Sequence, residues 1–591
     1  MRLILLVTVL GLLAASALLG LIYGPAGYAQ IAELSHIAYF ESAGPSYLPL
    51  DISLAAYAQF RIGILVALAI SLVSTFFLLL RPSFQREGKR LLQELRRALS
   101  ALSRTIAALS AAELWLAGLL LLALVGAPLV QLLIDSLSPD ELLSYDAFVH
   151  QGPVATTGFY PIPNNHVLYN LLCWPLKQVM PGHVRAIMRL PSFLMATVGT
   201  AVSYLLLTYF RSFRVATVVT ALFGLSEITV TYAASGRGYY LQFVCLELAF
   251  FAVLTLVSRS RGRRLAWAAF IVGCPAGLYA VPTFAMPMLA LLLVLLAAGA
   301  TAPARLRKPF LLQVGGAALA IGLISALLYW PVGSLSGWSR LLENRYLASC
   351  SLAEFLHREQ SYLYEAANLL YGPPRAALLL WAGIMVVTPL MLVRPGLNSS
   401  TRWLASTCWV LLAVPAALMV VKQLFIPARA LLFTTYFLYL LVALAADYGW
   451  RHWPRPWATR AVASTLAAVI LIKLFALSKH LPVLLRSREK TESIARAYQW
   501  LRRQPTGPVF TEDHYHGLLF YHFNLLEPTP LLLQYEHHPT TSPRYVVLPK
   551  GQPINPIEWA ASLPLQVRYQ DDIVTIYTSP NFKTTPAKLV P

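Results

Sequence analysis

Long apolar runs recur along the chain and are separated by short polar segments. Most of these runs approach the roughly 20 residues that a helix needs to span the hydrocarbon layer of a bilayer. The first run is interpreted as a retained helix rather than a signal peptide, because no convincing small-x-small cleavage site precedes the next polar stretch. The pattern predicts about thirteen transmembrane helices, at 1–23, 60–80, 113–134, 187–209, 214–233, 240–258, 264–281, 283–299, 311–332, 376–393, 403–421, 428–447 and 461–478.

The C-terminal tail follows a different pattern. Residues 491–503 have the spacing of an amphipathic helix, and residues 508–511, 545–548 and 572–577 resemble short strands. The predicted fold class is an all-α polytopic membrane protein with a small C-terminal α/β domain. Its predicted parts are 1–112 (two N-terminal helices and an amphipathic helix), 113–478 (a transmembrane core with outer loops 135–185 and 333–375) and 479–591 (the tail domain).

The composition agrees with a membrane protein. Hydrophobic residues make up 57% of the 591 residues, charged residues only 12%, and the mean hydropathy is +0.61. Because soluble globular proteins carry about 25% charged residues, a soluble fold is excluded. The formal net charge of +20 could suggest nucleic acid. Retention of Lys and Arg on the cytoplasmic side of the spans explains it better, so no nucleic-acid partner is expected.

Basic residues concentrate in every second connection, which predicts a cytoplasmic N-terminus and an extracytoplasmic tail. Residues 86–110 alternate basic and apolar side chains at helical spacing, so they are expected to lie along the inner leaflet. The basic connections contain Arg81, Arg86, Lys89, Arg90, Arg96, Arg97 and Arg104; Arg211 and Arg214; Arg259, Arg261, Arg263 and Arg264; Arg305, Arg307 and Lys308; Arg394 and Arg402; and Arg451, Arg455 and Arg460.

Two adjacent acids, Asp140 and Glu141, follow the third apolar run within Ser138-Pro139-Asp140-Glu141. Acids directly beyond a membrane helix are costly unless they are solvated or used. One of them could be a general base toward an acceptor hydroxyl or amine. The same four residues also form a helix start, with Ser138 as the cap and both acids at the positive end of the helix dipole. The two interpretations are compatible, because a helix start fixes the position of an acid.

Several motifs occur in order on the predicted outer side. They are the Asp-Glu pair, Asn164-Asn165-His166-Val167-Leu168-Tyr169, Arg189-Leu190-Pro191-Ser192, Tyr232-Ala233-Ala234-Ser235-Gly236-Arg237-Gly238-Tyr239, Gly277-Leu278-Tyr279 and Pro427-Ala428-Arg429. Over about residues 113–450 this combination resembles polyprenyl-phosphate-sugar-dependent glycosyltransferases of the GT-C fold, specifically the bacterial protein O-mannosyltransferase-like and aminoarabinose-transferase-like enzymes.

The resemblance implies a catalytic acid at Asp140, with Glu141 beside it, and inverting transfer of a sugar from a polyprenyl phosphate. It also implies a location in the bacterial inner membrane. The acceptor could be a protein, a lipid or a polysaccharide. Arg237, Lys422, Arg429 and, less directly, Arg189 could bind the donor phosphate, because a leaving phosphate needs positive charge. Candidate substrate-binding residues are Tyr145, Asn164, Asn165, His166 and Tyr239.

A divalent metal could also neutralise the phosphate, but the chain departs from the family here. Many relatives place an acid before the arginine of this motif, where this chain has Ser235-Gly236. Because of this departure, the sequence does not decide whether the protein uses a divalent metal or any other cofactor.

Two alternative functions remain compatible with the sequence. An O-antigen ligase or polymerase would use a lipid diphosphate and an Arg-rich outer loop, and the loop 333–375 contains Arg340, Arg345, Arg358 and Arg375. A lipid-linked sugar transporter or flippase is less favoured, because intramembrane charges are few and the outer loops are long. Glu227 lies inside an apolar run, so it is a functional candidate by default.

Two further features of the sequence concern metals and disulfides. The tail motif Asp513-His514-Tyr515-His516 with His522 has a metal-like composition, and a solvated loop is the preferred interpretation. A disulfide between Cys173 and Cys350 would be compatible with an outer location.

Overall fold

The computed structural model describes residues 1–41, 44–50, 52–343, 349–393, 397–452, 456–511, 519, 522, 533–534, 543–552 and 564–579. Arg345, Arg394, Arg455 and the tail motif 513–516 lie outside these residues. The α-helices of the described part are α1 (Arg2–Tyr23), α2 (Tyr28–Ala32), α3 (Leu54–Leu80), α4 (Pro82–Ala107), α5 (Ala111–Ile134), α6 (Pro139–Ser144), α7 (Pro153–Gly158), α8 (Val167–Val179), α9 (Val184–Phe210), α10 (Phe213–Gly224), α11 (Glu227–Ala234), α12 (Tyr239–Ser258), α13 (Arg263–Ala280), α14 (Ala285–Thr301), α15 (Ala304–Val332), α16 (Trp338–Leu342), α17 (Leu352–Tyr371), α18 (Pro374–Val393), α19 (Ser399–Lys422), α20 (Leu432–His452) and α21 (Pro456–Arg502).

The described residues contain ten helices that are long and apolar enough to cross a membrane, or eleven if α10 and α11 count as one bent span. The polytopic helical fold is therefore confirmed, whereas the predicted number of thirteen spans is not. The apolar runs 264–281 and 461–478 lie in α13 and α21, which are not among the ten. Large apolar side chains are exposed along α3, α5 and α18, as expected for helices that face lipid.

The run 214–233, predicted as one span, is broken. Its two halves, α10 and α11, are bent by 70°. Ser226, at the N-cap of α11, has an extended backbone (φ −75°, ψ 142°), so the helix does not continue through it. Its hydroxyl donates to the Phe223 carbonyl at 2.7 Å. The bend places Glu227 at the exposed start of α11 rather than inside a continuous span.

The two ends of the helical bundle carry different charged residues. Helix α12 begins at Tyr239, next to Arg237, and ends at Ser258, next to the basic connection 259–264. Its 20 residues correspond to about 30 Å at 1.5 Å per residue. We call the end with the connections 211–214, 259–264 and 302–308 the basic face, and the end with Asp140 and Arg237 the site face.

The long connections on the site face are mostly helical. The first contains α6, a π-helix (Tyr145–His150), α7 and α8, and the second contains a π-helix (Gly333–Gly337), α16 and α17. A small hairpin, β1 (Ala38–Glu41) with β2 (Gly44–Tyr47), joins α1 to α3 and was not predicted. Short 3₁₀ segments are Glu33–His36, Pro282–Phe284 and Ala428–Leu431. All five cysteines are free, so Cys173 and Cys350 do not form a disulfide.

The tail folds into a mixed sheet, as predicted for an α/β domain. Its described strands are β3 (Val509–Thr511), β4 (Leu533–Gln534), β5 (Tyr545–Pro549), β6 (Gln566–Gln570) and β7 (Val574–Thr578), in the order β4-β3-β5-β7-β6. Strand β3 is parallel to β4 and β5, whereas β7 is antiparallel to β5 and β6. The predicted boundary at 478/479 falls within α21, which runs continuously from the bundle into the tail.

The tail packs directly on the helix that carries the two acids. Leu142 of α6 is 4% exposed and belongs to the same apolar cluster as Ile494 and Tyr498 of α21 and Val547 of β5. The hydroxyls of Ser136 and Ser487 also hydrogen-bond at 2.7 Å. The tail domain therefore forms part of the surroundings of α6.

Asp571, in the turn between β6 and β7, fastens the sheet to α21. Its carboxylate accepts hydrogen bonds from the backbone N–H groups of Ile573 and Val574 at 2.9 and 2.8 Å and from the Ser493 hydroxyl at 2.7 Å. Arg496 adds an ion pair at 3.2 Å. Burial alone would raise the pKa of Asp571, but these bonds outweigh it and lower the pKa to about 2.

We expect Asp571→Ala to loosen the sheet from α21, because several donors lose one shared acceptor. Each buried donor left unsatisfied costs about 1–3 kcal/mol. The measurement is the rate of limited proteolysis within the tail, which should rise at least several-fold. Asp572→Ala is the matched control, since Asp572 is fully exposed and, within the described residues, pairs only with Lys550, at 3.6 Å. Equal proteolysis of both variants would contradict this role of Asp571.

Candidate functional site

Helix α6 holds the two acids in different environments. Its start is a capping box, in which the Glu141 N–H donates to the Ser138 hydroxyl at 3.3 Å and the Ser138 N–H donates to the Glu141 carboxylate at 2.7 Å. Glu141 is 1% exposed, whereas the Asp140 side chain is 47% exposed. The helix start predicted from the sequence is therefore present, and it turns one acid into the protein and the other outward.

Glu141 forms a bidentate ion pair with Arg189 of α9. The Arg189 Nε and one terminal nitrogen each lie 2.8 Å from a different Glu141 oxygen. Arg189 also donates to the carbonyls of Asp135 and Ser136, at 3.1 and 2.6 Å. Burial opposes the ionised form of Glu141, but the charge and hydrogen bonds of Arg189 lower its pKa below the ordinary value. Both charged groups are thus already satisfied within the protein.

The turn before α12 approaches Glu141 through a glycine. The Gly236 N–H donates to Glu141 at 2.5 Å. A Cβ at position 236 would lie 2.8 Å from the Met188 Cβ and 2.9 Å from the Met188 carbonyl oxygen. A side chain there would push the turn away, so position 236 has no room for the side chain of an acid.

Two arginines from distant segments converge on Asp140. Arg237, in the turn before α12, lies 3.2 Å from Asp140 Oδ2, and Arg429, in the segment 428–431 before α20, lies 3.8 Å from the same oxygen. Arg237 is 4% exposed, and the Arg429 side chain is 37% exposed. The Nε of Arg429 is buried and has no hydrogen-bond partner among the described residues. Two guanidinium groups therefore face the Asp140 carboxylate, and one of them keeps an N–H donor without a partner in the described part of the chain.

Asn164 links the buried arginine to α6. Its side-chain oxygen accepts a hydrogen bond from Arg237, and its amide donates to the Asp140 carbonyl and the Ser144 hydroxyl, both at 3.1 Å. The Arg237 guanidinium also lies over the Tyr239 ring, 5.7 Å from its centroid. Burial would lower the pKa of Arg237, but the neighbouring Asp140 raises it, so the arginine is charged.

His166 is a buried neutral anchor of the same turn. Its Nδ1 accepts a hydrogen bond from the Gly238 N–H at 2.7 Å, which places the ring proton on Nε2. Burial, and then the charges of Arg237 and Arg429, hold its pKa well below the ordinary value. A Cβ at Gly238 would lie 2.8 Å from that Nδ1, so the glycine permits this close contact.

The other predicted site residues are placed away from Asp140 or are committed elsewhere. Asn165 donates to the carbonyls of Thr156 and Phe159, at 2.9 and 3.0 Å, and so braces the loop. Tyr145 is 5% exposed and packs beside His150. Lys422 is exposed at the end of α19, and within the described residues it forms no ion pair with Asp140. Arg189, as shown above, is engaged by Glu141.

A divalent metal does not fit the surroundings of Asp140. The described residues contain no group of three or more His, Cys, Asp or Glu side chains placed to hold a metal ion. The near neighbours of the Asp140 carboxylate are the guanidinium groups of Arg237 and Arg429, which would repel a cation. We therefore assign no step to a metal.

Two features of this region were not predicted as functional. Asp146, in the π-helix after α6, has its pKa raised to about 7 by burial. Leu142 connects α6 to the tail domain. The sequence offered a signal for the first, since a third acid follows the Asp-Glu pair, but a single leucine among many gives no signal for the second.

Comparisons with protein-family models and with curated proteins find no match. Solved structures do give similarities. The chain is similar to ArnT from Cupriavidus metallidurans bound to undecaprenyl phosphate, with 13% identity, a TM-score of 0.47, and coverage of 78% of this chain and 97% of that one. The apo form of the same protein is similar with 14% identity and a TM-score of 0.43, and the match covers 79% of this chain and 98% of that one.

A second similarity is to the archaeal oligosaccharyltransferase AglB from Archaeoglobus fulgidus, in complex with an inhibitory peptide and a dolichol-phosphate. The identity is 10% and the TM-score 0.37, with coverage of 73% of this chain and 69% of that one. The function of this chain is argued below from its own residues.

We expect Glu141→Ala to destabilise the protein strongly. The change leaves Arg189 charged and buried without its carboxylate partner, which costs about 3–5 kcal/mol. The measurement is the thermal unfolding midpoint in detergent, together with the yield of folded protein.

Glu354→Ala is the matched control for this prediction. Glu354 forms an exposed ion pair with Arg358 at 2.9 Å, and such pairs contribute about 0–1 kcal/mol. If both variants unfold at the same temperature as the unchanged protein, the Glu141–Arg189 pair does not have the structural role assigned here.

Proposed function

We propose that this protein is a membrane glycosyltransferase that moves a sugar from a polyprenyl phosphate to an acceptor at the site face. The observation that carries the proposal is the convergence of Arg237 and Arg429 on Asp140 at a membrane boundary. The three residues come from the start of α6, the turn before α12 and the segment before α20. The positive-inside pattern supports an extracytoplasmic location of this face.

The two arginines suit the phosphate of the donor. A polyprenyl phosphate keeps its charged head at the membrane surface while its tail stays in lipid. Arginines can bind phosphate oxygens through two parallel hydrogen bonds, and such donors are most effective where water is excluded. Arg237 is buried and oriented by Asn164, while Arg429 has a free buried Nε, so both could turn from Asp140 to a phosphate.

Asp140 suits the role of general base, because it is the accessible acid of the pair. In this proposal the Asp140 carboxylate takes the proton from an acceptor O–H or N–H. The acceptor's lone pair then forms a bond to the anomeric carbon, and the bond between that carbon and the phosphate oxygen breaks. The electron pair stays on the phosphate, where Arg237 and Arg429 stabilise the added charge. Attack opposite the leaving group inverts the anomeric centre.

Glu141 receives a positioning role rather than a catalytic one. Its carboxylate is occupied by Arg189, the Ser138 N–H and the Gly236 N–H. These contacts fix α6 relative to α9 and to the turn that carries Arg237. Asp140 and Arg237 are thereby placed opposite each other by the same buried group.

The alternative of a ligase with an arginine-rich loop gains no support from the described residues. Arg358 pairs with Glu354 and lies over the Phe425 ring, while Arg340 and Arg375 are exposed. None of these three forms an ion pair with Asp140 in the described part of the chain. Arg345, the fourth arginine of that loop, lies outside it.

We expect Asp140→Asn to lower sugar transfer by about 10²–10⁴-fold, the usual effect of removing a general base. Purified protein would be assayed with a panel of polyprenyl-phosphate sugars and a membrane extract as the acceptor source. The exposed acid Asp572 of the tail, changed to Asn, is the control and should leave transfer unchanged.

Binding of polyprenyl phosphate distinguishes the role of Asp140 as a base from the role of Arg237 in holding the phosphate. Asp140→Asn should still bind polyprenyl phosphate, because both arginines are intact. Arg237→Ala should bind it at least ten-fold more weakly, with Arg237→Lys a poor substitute if the contact is bidentate. Near-normal transfer by Asp140→Asn, or unchanged lipid-phosphate affinity in Arg237→Ala, would refute the corresponding assignment.

A further inference from the structure

A cavity opens at the basic face, at the far end of α12 from Asp140. Its volume is about 920 Å³. It is bounded by the starts of α1, α13, α15 and α19, the ends of α12 and α14, and α4. None of the residues assigned to the transferase site lines it, so it is a separate feature of the fold.

The cavity carries an excess of positive charge. Its charged lining side chains are Arg2, Arg263, Arg264 and Glu87. Arg264 is already paired, at 2.9 Å from Glu87 and 3.2 Å from Glu94. Arg2 and Arg263 form no ion pair with a carboxylate among the residues that the structure describes. Two positive charges in a concave site therefore lack counter-charges, which favours an anionic ligand.

The remaining walls combine aromatic and aliphatic side chains with the polar side chains of Thr301 and Gln313. Trp267, Phe310 and Trp403 line the cavity together with aliphatic residues such as Leu306. The Arg263 guanidinium lies over the Phe310 ring at 5.3 Å, and the Trp267 indole N–H donates to Gln313 at 3.2 Å. Tryptophan side chains of this kind are typical of the membrane–water boundary. The ligand should therefore have a charged end and an apolar body.

We propose that this cavity binds the headgroup of an anionic phospholipid from the cytoplasmic leaflet. The phosphate would contact Arg2 and Arg263, and the upper part of the lipid would lie against the aromatic wall. Basic pockets between transmembrane helices on the cytoplasmic side are suited to such headgroups. The basic connections on this face predict that it is cytoplasmic.

The position of the cavity gives the lipid a structural effect. Glu94 of α4 accepts hydrogen bonds from the backbone N–H groups of Arg264 and Leu265, at 2.9 and 3.0 Å, and so caps α13. The cavity lies at this junction of α1 and α4 with α13 and α15. A bound lipid would contact both the N-terminal helices and the core.

The test compares lipid binding by purified protein in detergent, read by native mass spectrometry with added phosphatidylglycerol or phosphatidylcholine. The unchanged protein should retain phosphatidylglycerol in preference to phosphatidylcholine. Arg263→Ala should weaken phosphatidylglycerol binding by about five-fold, the expected effect of one basic residue. Arg261→Ala is the matched control, because Arg261 is exposed on the same connection and does not line the cavity.

Arg2→Ala provides a second variant if Arg263→Ala does not fold, and it should weaken the same lipid. Equal retention by the Arg263, Arg2 and Arg261 variants would overturn the proposal, since the lipid would then be bound only at the general protein surface. Equal binding of phosphatidylcholine would also overturn it. Displacement of phosphatidylglycerol by millimolar inorganic phosphate would assign the cavity to a soluble anion instead of a lipid.

Discussion

The site face depends on one buried ion pair, Glu141 with Arg189. A carboxylate and a guanidinium that are each 1% exposed would be strongly unfavourable if either lost its partner. The pair is kept by its bidentate geometry and by further bonds from Ser138 and Gly236 to Glu141. It joins α6, α9 and the turn before α12, three segments that are far apart in the sequence. The positions of Asp140 and Arg237 follow from that connection.

The two adjacent acids thus divide structural and chemical roles by orientation. On a helix, neighbouring residues point about 100° apart, so one acid can be buried while the next stays accessible. Glu141 points to Arg189, and Asp140 points to Arg237 and Arg429. The tail domain adds a second constraint on α6 through Leu142. Asp140, which is half-exposed, therefore lies on α6, and α6 is fixed both by the Glu141–Arg189 pair and by the contact of Leu142 with the tail domain.

Much of this arrangement could be predicted from the sequence because it depends on local patterns. Apolar runs of membrane-spanning length predict helices wherever they occur, and Ser138 with Glu141 three residues later predicts a capping box. The break at Ser226 was missed because two polar residues, Ser226 and Glu227, carry little weight when hydropathy is averaged over a whole span. The continuity of α21 was missed for a related reason, since the change in composition near residue 479 resembles a boundary even though the backbone remains helical.

The partners of charged residues could not be predicted, because they depend on packing between distant segments. Arg189 and Arg237 were both candidates for the donor phosphate, yet one meets Glu141 and the other Asp140. Lys422 and Arg429 lie seven residues apart, yet of these two only Arg429 contacts Asp140 in the described part of the chain. Gly236 looked like a missing acid, whereas its lack of a side chain lets the backbone reach Glu141.

The central claim is that Arg237 and Arg429, which face Asp140, bind the phosphate of a polyprenyl-phosphate donor. Cryo-electron microscopy of the protein in lipid nanodiscs, with and without polyprenyl phosphate, tests it most directly. The account predicts phosphate density within hydrogen-bonding distance of both arginines, with Asp140 separated from them and the Glu141–Arg189 pair unchanged. Phosphate density elsewhere, with both arginines still on Asp140, would contradict it.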